Sequence, residues 1–190
     1  KSHPKGLLAA ALSNMGERFG YYIMNAVLAL FLCSKFGLAE GQAGLIYSIF
    51  YAGIYILSLV GGLIADKTQN YKGTIMTGLA IMASGYVVLS IPVLATPQNS
   101  SFLLTVTCLA LFLIAFGNGL FKGNLQAIVG QMYDNFEAEE AKKGEEALAI
   151  AKDKRDSGFQ IFYVFINVGG VIAPFVAPLL REWWLKTNGL

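Results

Sequence analysis

The chain has 190 residues, of which 55% are hydrophobic and 14% charged, and its formal net charge is +2. That is far more apolar than a soluble domain of this size requires, and it places the chain among membrane proteins. The charges cluster between long apolar runs, so the small positive balance gives no footing for a nucleic-acid partner.

Five runs reach the ~20 residues that a helix needs to cross a bilayer: about 7–36, 42–65, 73–93, 102–132 and 157–184. Runs of this length are not the alternating strands of about 10 residues that build a β-barrel. The fold class is therefore an all-α integral membrane protein with five transmembrane helices, read as one domain over 1–190. The short basic lead, with Lys1 and Lys5, enters a span too long and too charged for a cleaved signal, so it reads as an uncleaved anchor. With no initiator Met and an end soon after the last membrane exit, the chain reads as a processed, trimmed or truncated product. Cys33 and Cys108 lie inside apolar runs with no metal-like spacing and are expected to be small buried hydrophobes, without a disulfide.

The first span carries an anomaly. Asn14, Glu17, Arg18, Tyr21, Tyr22 and Asn25 fall within an arc of roughly 140° on a helical wheel, so one face is polar. An Arg at the centre of a membrane helix costs roughly 2.5–3.5 kcal/mol on insertion scales, and a Glu adds its own penalty, so this face is expected to look into a bundle or a watery cavity. Neighbours at i,i+1 point different ways around a helix, which makes Glu17 and Arg18 poor partners for each other. Their partners are expected on other spans.

The second span sets Tyr47, Tyr51, Tyr55 and Ser58 in one stripe of hydroxyls. Two readings are open: aromatic packing, or a cavity wall whose phenols bond a polar substrate. At the end of this span Asp66, followed by Lys72, reads either as part of an ordinary capped turn or as a gating contact that breaks when one membrane face opens. The third span has only Thr77, Ser84 and Ser90 as small polar residues and is expected at the periphery.

In the fourth span Asn118, Lys122 and Gln126 share a face, with Lys122 deep in the run. An ammonium there must be paired with a carboxylate, sit in water or snorkel to an interface. Glu17 is the other deep carboxylate, so helices one and four are expected to approach each other, helped by Gly16-x-x-x-Gly20 and Gly119-x-x-x-Gly123. The segment 133–156 is a mixed-charge run, expected to be a partly helical, solvated cytoplasmic loop, with a regulatory docking role as the other reading. In the fifth span Gln160, Tyr163 and Asn167 share a face, and Asn167 reads as a helix-to-helix hydrogen bond or a ligand contact.

Basic residues set the orientation. With the N-terminus cytoplasmic, inner segments hold Lys1, Lys5, Lys67, Lys72, Lys142, Lys143, Lys152, Lys154 and Arg155, against Lys35, Arg181 and Lys186 outside. Trp183 and Trp184 then close the fifth span at the outer interface. A multi-pass protein of the cell membrane, in bacteria the inner membrane, follows.

Four stretches also resemble one family. Glu17-Arg18-Phe19-Gly20-Tyr21-Tyr22 resembles the second half of ExxERFxYY; Gly61-Gly62-Leu63-Ile64-Ala65-Asp66, with Lys72-Gly73, resembles the major-facilitator loop GGxxADxxxGrr. Phe121-Lys122-Gly123-Asn124 resembles the FKPN box, and Arg155-Asp156-Ser157-Gly158-Phe159 through Asn167 and Gly169 resembles RDxGFxIFYxxINxG. Together they resemble the proton-dependent oligopeptide transporters of the major facilitator superfamily. The likeness implies five of the six helices of an N-terminal bundle, with a C-terminal helical bundle as partner. It implies import of di- and tripeptides with protons by alternating access, not an enzyme, and no cofactor or metal.

The likeness also implies roles. Glu17, Arg18 and Lys122 would couple protons; Tyr21, Tyr22, Asn25, Tyr55, Lys122 and Asn167 would bind substrate; Asp66, Lys72, Gly119 and Gly123 would gate. Two positions depart from the pattern. Asn14 stands where the family has its first carboxylate, and Asn25 where many members carry a second Arg. The alternatives are a member carrying another organic or inorganic anion, and a non-transporting paralogue or assembly subunit whose buried charges fix helix register. No HExxH, GxSxG or P-loop pattern points to enzymatic chemistry.

Overall fold

A computed structural model describes residues 3–187, apart from the side chains of Trp184 and Leu185. The described residues form five helices and no strand: α1 (Leu7–Phe36), α2 (Glu40–Thr68), α3 (Tyr71–Ser90), α4 (Ser100–Ala141) and α5 (Glu145–Thr187). All five are long and apolar enough to cross a membrane. Side chains such as Leu30, Leu59, Phe102 and Phe175 are largely exposed, as expected where hydrocarbon takes the place of water.

The helices end where local chemistry stops them. Gln42 turns its side chain back to the Ala39 amide at 3.2 Å and so occupies one of the free donors that precede α2. The α2–α3 turn is short: Gln69 takes a left-handed conformation at φ 52°, and Asn70 caps α3 by accepting from the Gly73 amide at 2.9 Å.

The segment 133–156, expected as a partly helical charged loop, is almost all helix. At 42 and 43 residues, α4 and α5 run to about 60 Å each, twice the ~30 Å hydrocarbon core, so both continue beyond it. The reason is local. Residues 137–152 are rich in Glu, Ala and Lys, which are strong helix formers. Lys142 and Lys143 pair with Glu139 and Glu140 three residues back, at 2.7 and 2.6 Å. Only residues 142–144 break the run, at Gly144 with φ +121°. Arg155 of α5 then joins Asp134 and Glu137 of α4 at 2.6 and 3.2 Å.

Backbone contacts divide the chain into two compact units, Lys1–Val27 with Ile128–Leu190, and Leu28–Ala127. In the first, α5 passes α1 closely: a Cβ at Gly169 would meet the Met15 carbonyl, and one at Gly170 the Tyr22 ring. Tyr133 is fully buried, with its phenol in the space where a Cβ at Gly158 would stand. Its hydroxyl meets Nδ1 of His3 at 2.8 Å.

In the second unit α4 is the central element, with Ala110, Leu111, Ile114, Ala115 and residues 117–121 buried. Glycines set how near its neighbours come. A Cβ at Gly61 of α2 would meet the Gly119 carbonyl, and one at Gly119 the Leu57 carbonyl. On the other side Gly78 of α3 backs onto the Gly117 carbonyl. Gly119 thus serves the approach of α2, and a Cβ at Gly16 or Gly123 would meet nothing within 4 Å. Cys108, expected inside, is exposed, on an apolar groove of about 350 Å³ between α2 and α4.

The two adjacent glycines of the loop motif should therefore respond in opposite ways. Gly61→Ala is expected to destabilise by about 1–3 kcal/mol through overpacking. Gly62, which faces open space, should gain about 0.5–1 kcal/mol on replacement by Ala, the helix-entropy term alone. Melting curves of the two variants in detergent, compared with the parent, check both signs.

Candidate functional site

The polar face of α1 lies in the first unit and is buried: Asn14, Glu17 and Arg18 are each less than a tenth exposed. Glu17 and Arg18 bond each other at two points, with Arg18 Nε to Glu17 Oε2 at 2.5 Å and Arg18 Nη2 to Oε1 at 2.7 Å. This corrects the expectation that the two would be poor partners for each other. Their Cβ atoms diverge, but the long Arg stem lets the planar guanidinium swing across and meet the carboxylate fork to fork. In apolar surroundings that contact outweighs the rotamer cost, because two separated charges would each go unsolvated.

The same guanidinium lies over the Tyr21 ring, 4.5 Å from its centroid, and Tyr21 meets Tyr22 edge-on at 5.4 Å. The face therefore runs carboxylate, cation, phenol, phenol. Further along, the Asn25 carbonyl oxygen is buried with no hydrogen-bond partner among the described residues. On α5 of this unit Gln160, Tyr163 and Asn167 are all exposed.

The second unit holds the other group of candidates. Tyr47, Tyr51 and Tyr55 form one stripe on α2, as their spacing predicts, and the Lys122 ammonium sits over the Tyr55 ring, 4.7 Å from its centroid. The Ser58 hydroxyl donates to its own helix at Ile54 O, 2.9 Å away. Lys122 is half-buried and Tyr55 exposed.

Of the gating candidates, Asp66 accepts from the Tyr71 hydroxyl at 2.6 Å, Lys72 is exposed on the first turn of α3, and Gly119 and Gly123 stand as described above. A contact not foreseen from the sequence lies nearby. Asn124 donates to the Gly61 carbonyl at 3.0 Å and to Leu120 O at 2.8 Å, so one buried amide ties α2 to α4. The signal existed in part, because Asn124 follows Lys122 in the quoted box, but its partner is a backbone carbonyl 63 residues away. In the charged extension Glu139 has its carboxyl held below the usual carboxylate range by the Lys142 hydrogen bond. No cluster of three or more metal-type ligands occurs among the described residues.

The sequence pattern of the POT family, the proton-dependent oligopeptide transporters, matches residues 72–188. The chain belongs to this family. It is similar to a di-/tripeptide transporter of Lactococcus lactis subsp. cremoris, 34% identical over 186 residues, which cover 94% of this chain and 33% of that one. It is also similar to the peptide transporter YePEPT of Yersinia enterocolitica subsp. palearctica, 34% identical over 98% of this chain and 32% of the other. Among solved structures, tetrameric PepTSo2 aligns with a TM-score of 0.78 and 28% identity, over 97% of this chain and 34% of that one. A bacterial homologue of the human drug peptide transporters PepT1 and PepT2 aligns at 0.76, with 28% identity over 96% of this chain and 34% of its own. The likeness establishes the all-helical major-facilitator type of fold. The chain spans about a third of the length of the curated relatives that it matches.

The α1 ion pair makes an energetic prediction. Glu17→Ala or Arg18→Ala alone takes the two-point contact away from the buried charge that remains, a loss of about 3–5 kcal/mol. Removing both should cost less than the sum of the two, with a coupling of about 2 kcal/mol or more. Thermal melting of the two single variants and the double variant measures it, and additive losses would show that the pair is not the stabilising unit.

Proposed function

We propose that this chain carries the N-terminal helices of a proton-coupled importer of di- and tripeptides that works by alternating access and is completed by a second helical bundle. The observation that carries this reading is the buried two-point bond between Glu17 and Arg18 in a membrane-spanning helix. It is supported by family membership and by relatives named as peptide transporters.

The chemistry follows from the inventory of donors and acceptors. An ionised Glu17 only accepts, and both of its oxygens take Arg18 N–H groups. A proton on Glu17 removes the charge that holds the guanidinium and frees donors of Arg18 for a substrate carboxylate. Lys122 supplies a second positive charge. Tyr21, Tyr22, Tyr55, Asn25 and Asn167 offer hydrogen bonds to the peptide, and the orphaned Asn25 oxygen is suited to a donor such as an amide N–H or an ammonium.

Proton and peptide thereby bias one two-state equilibrium, which is what coupling requires. Asp66 and Lys72 gate by exchanging partners at the α2–α3 turn, while Gly119 and Gly123 leave α4 free to bend. The reading has the N-terminus on the cytoplasmic side of the cell membrane, and the nine basic residues of the lead, the α2–α3 turn and the charged extension support it.

Reconstitution in liposomes tests this. The chain joined to or co-expressed with a second bundle should accumulate labelled dipeptide under an inward proton gradient, and the chain alone should not. Glu17→Gln should abolish gradient-driven uptake and spare peptide exchange; gradient-driven uptake at the parent rate would remove Glu17 from the coupling role. Lys122→Ala should raise KM at least tenfold for peptides with a free carboxylate, and less for C-terminal amides. Flux of neither peptides nor other anions in the complete assembly would favour the non-transporting reading.

A further inference from the structure

We infer that Tyr71 is the positioning residue of the α2–α3 turn: its phenol orients the Asp66 carboxylate without neutralising it. The part this plays in gating rests on the transport reading above; the contact itself rests on geometry within one unit. The Tyr71 hydroxyl donates to Asp66 Oδ1 at 2.6 Å, the short distance typical of a hydroxyl on a carboxylate.

The turn is folded so that this bond can form. Asp66 lies in the last turn of α2, and Tyr71 opens α3. Between them Gln69 takes its left-handed conformation, and its side chain donates to the Asp66 backbone carbonyl at 2.6 Å. Asn70 caps α3 with its side chain, and its own carbonyl accepts from the Thr74 hydroxyl at 2.9 Å. The chain thus reverses within a few residues, and the phenol meets the carboxylate.

The kind of donor decides what the contact can do. The turn carries two ammonium groups, on Lys67 and Lys72, both exposed, and neither forms an ion pair among the described residues. An ammonium on Asp66 would cancel its charge. A phenol gives one proton into a hydrogen bond and leaves the carboxylate its full negative charge. Asp66 is exposed, and its second oxygen has no hydrogen bond among the described residues. It also stands at the negative end of the α2 dipole, so this end of the helix draws a cation. Tyr71 therefore fixes the direction of a charge that stays available for exchange between partners, and does so without touching the peptide.

Tyr71→Phe keeps the ring and removes the tether. In the complete transporter it is expected to lower the maximal rate of dipeptide uptake at least about threefold with KM within about twofold, the split of a conformational step. Tyr71→Lys, which offers a donor but neutralises Asp66, should not restore the rate. A parent rate in either variant, or a rise in KM that matches the loss of rate, overturns the gating role. A second readout needs no substrate: the tyrosine doublet in ultraviolet resonance Raman spectra, which reports phenol hydrogen bonding. Asp66→Ala should change it in the parent and leave it unchanged in a Tyr71→Phe background; no change in the parent, or the same change in both, overturns the pairing. If the complete assembly carries no peptide while the Raman result holds, the transport reading and the gating role fall together and the Tyr71–Asp66 tether stands. If peptide is carried and Tyr71→Phe keeps the parent rate, the gating role falls alone.

Discussion

A carboxylate and a guanidinium buried side by side in an apolar helix constrain everything around them. Neither charge is tolerable alone where water is excluded, and the two-point contact of Glu17 with Arg18 gives each an opposite charge at hydrogen-bond distance. The rest of the α1 polar face is arranged to suit that pair, with Tyr21 under the guanidinium and Tyr22 edge-on beside it. The close passage of α5 at Gly169 and Gly170 has the same character: a larger residue there would strike the α1 backbone or the Tyr22 ring and disturb the face that holds the charges.

The second unit solves a different problem. Helices in lipid gain little from the hydrophobic effect, since hydrocarbon surrounds them in either case, so close packing and buried hydrogen bonds must hold them. Gly61, Gly78, Gly117 and Gly119 bring α2 and α3 against α4 at backbone distance, and Asn124 adds one amide bond to the Gly61 carbonyl. A tie made of one side-chain amide and glycine contacts is firm yet small in area.

Outside the bilayer the logic reverses. The extensions of α4 and α5 are held by Arg155 with Asp134 and Glu137 and by the lysine–glutamate pairs of α4. The exposed Glu139–Lys142 pair contributes only about 0–1 kcal/mol, so helix propensity carries much of what keeps this stretch folded. The buried Tyr133 stands at its base, meeting the Gly158 backbone and the His3 ring. It anchors the extension where apolar packing still counts.

The sequence by itself determined the number of spans, the polar face of α1, the tyrosine stripe and the family, because apolar run length and helical periodicity are local properties and the motifs are contiguous. It misjudged what depends on side-chain reach or on local propensity: the direct Glu17–Arg18 contact, and how much of the segment 133–156, expected to be partly helical, is helix. Only the tertiary structure decided that Asn124 would seek the Gly61 carbonyl and that Lys122 would lie over Tyr55. Those choices turn on which helix stands opposite which, and no pattern within a single helix records its neighbour.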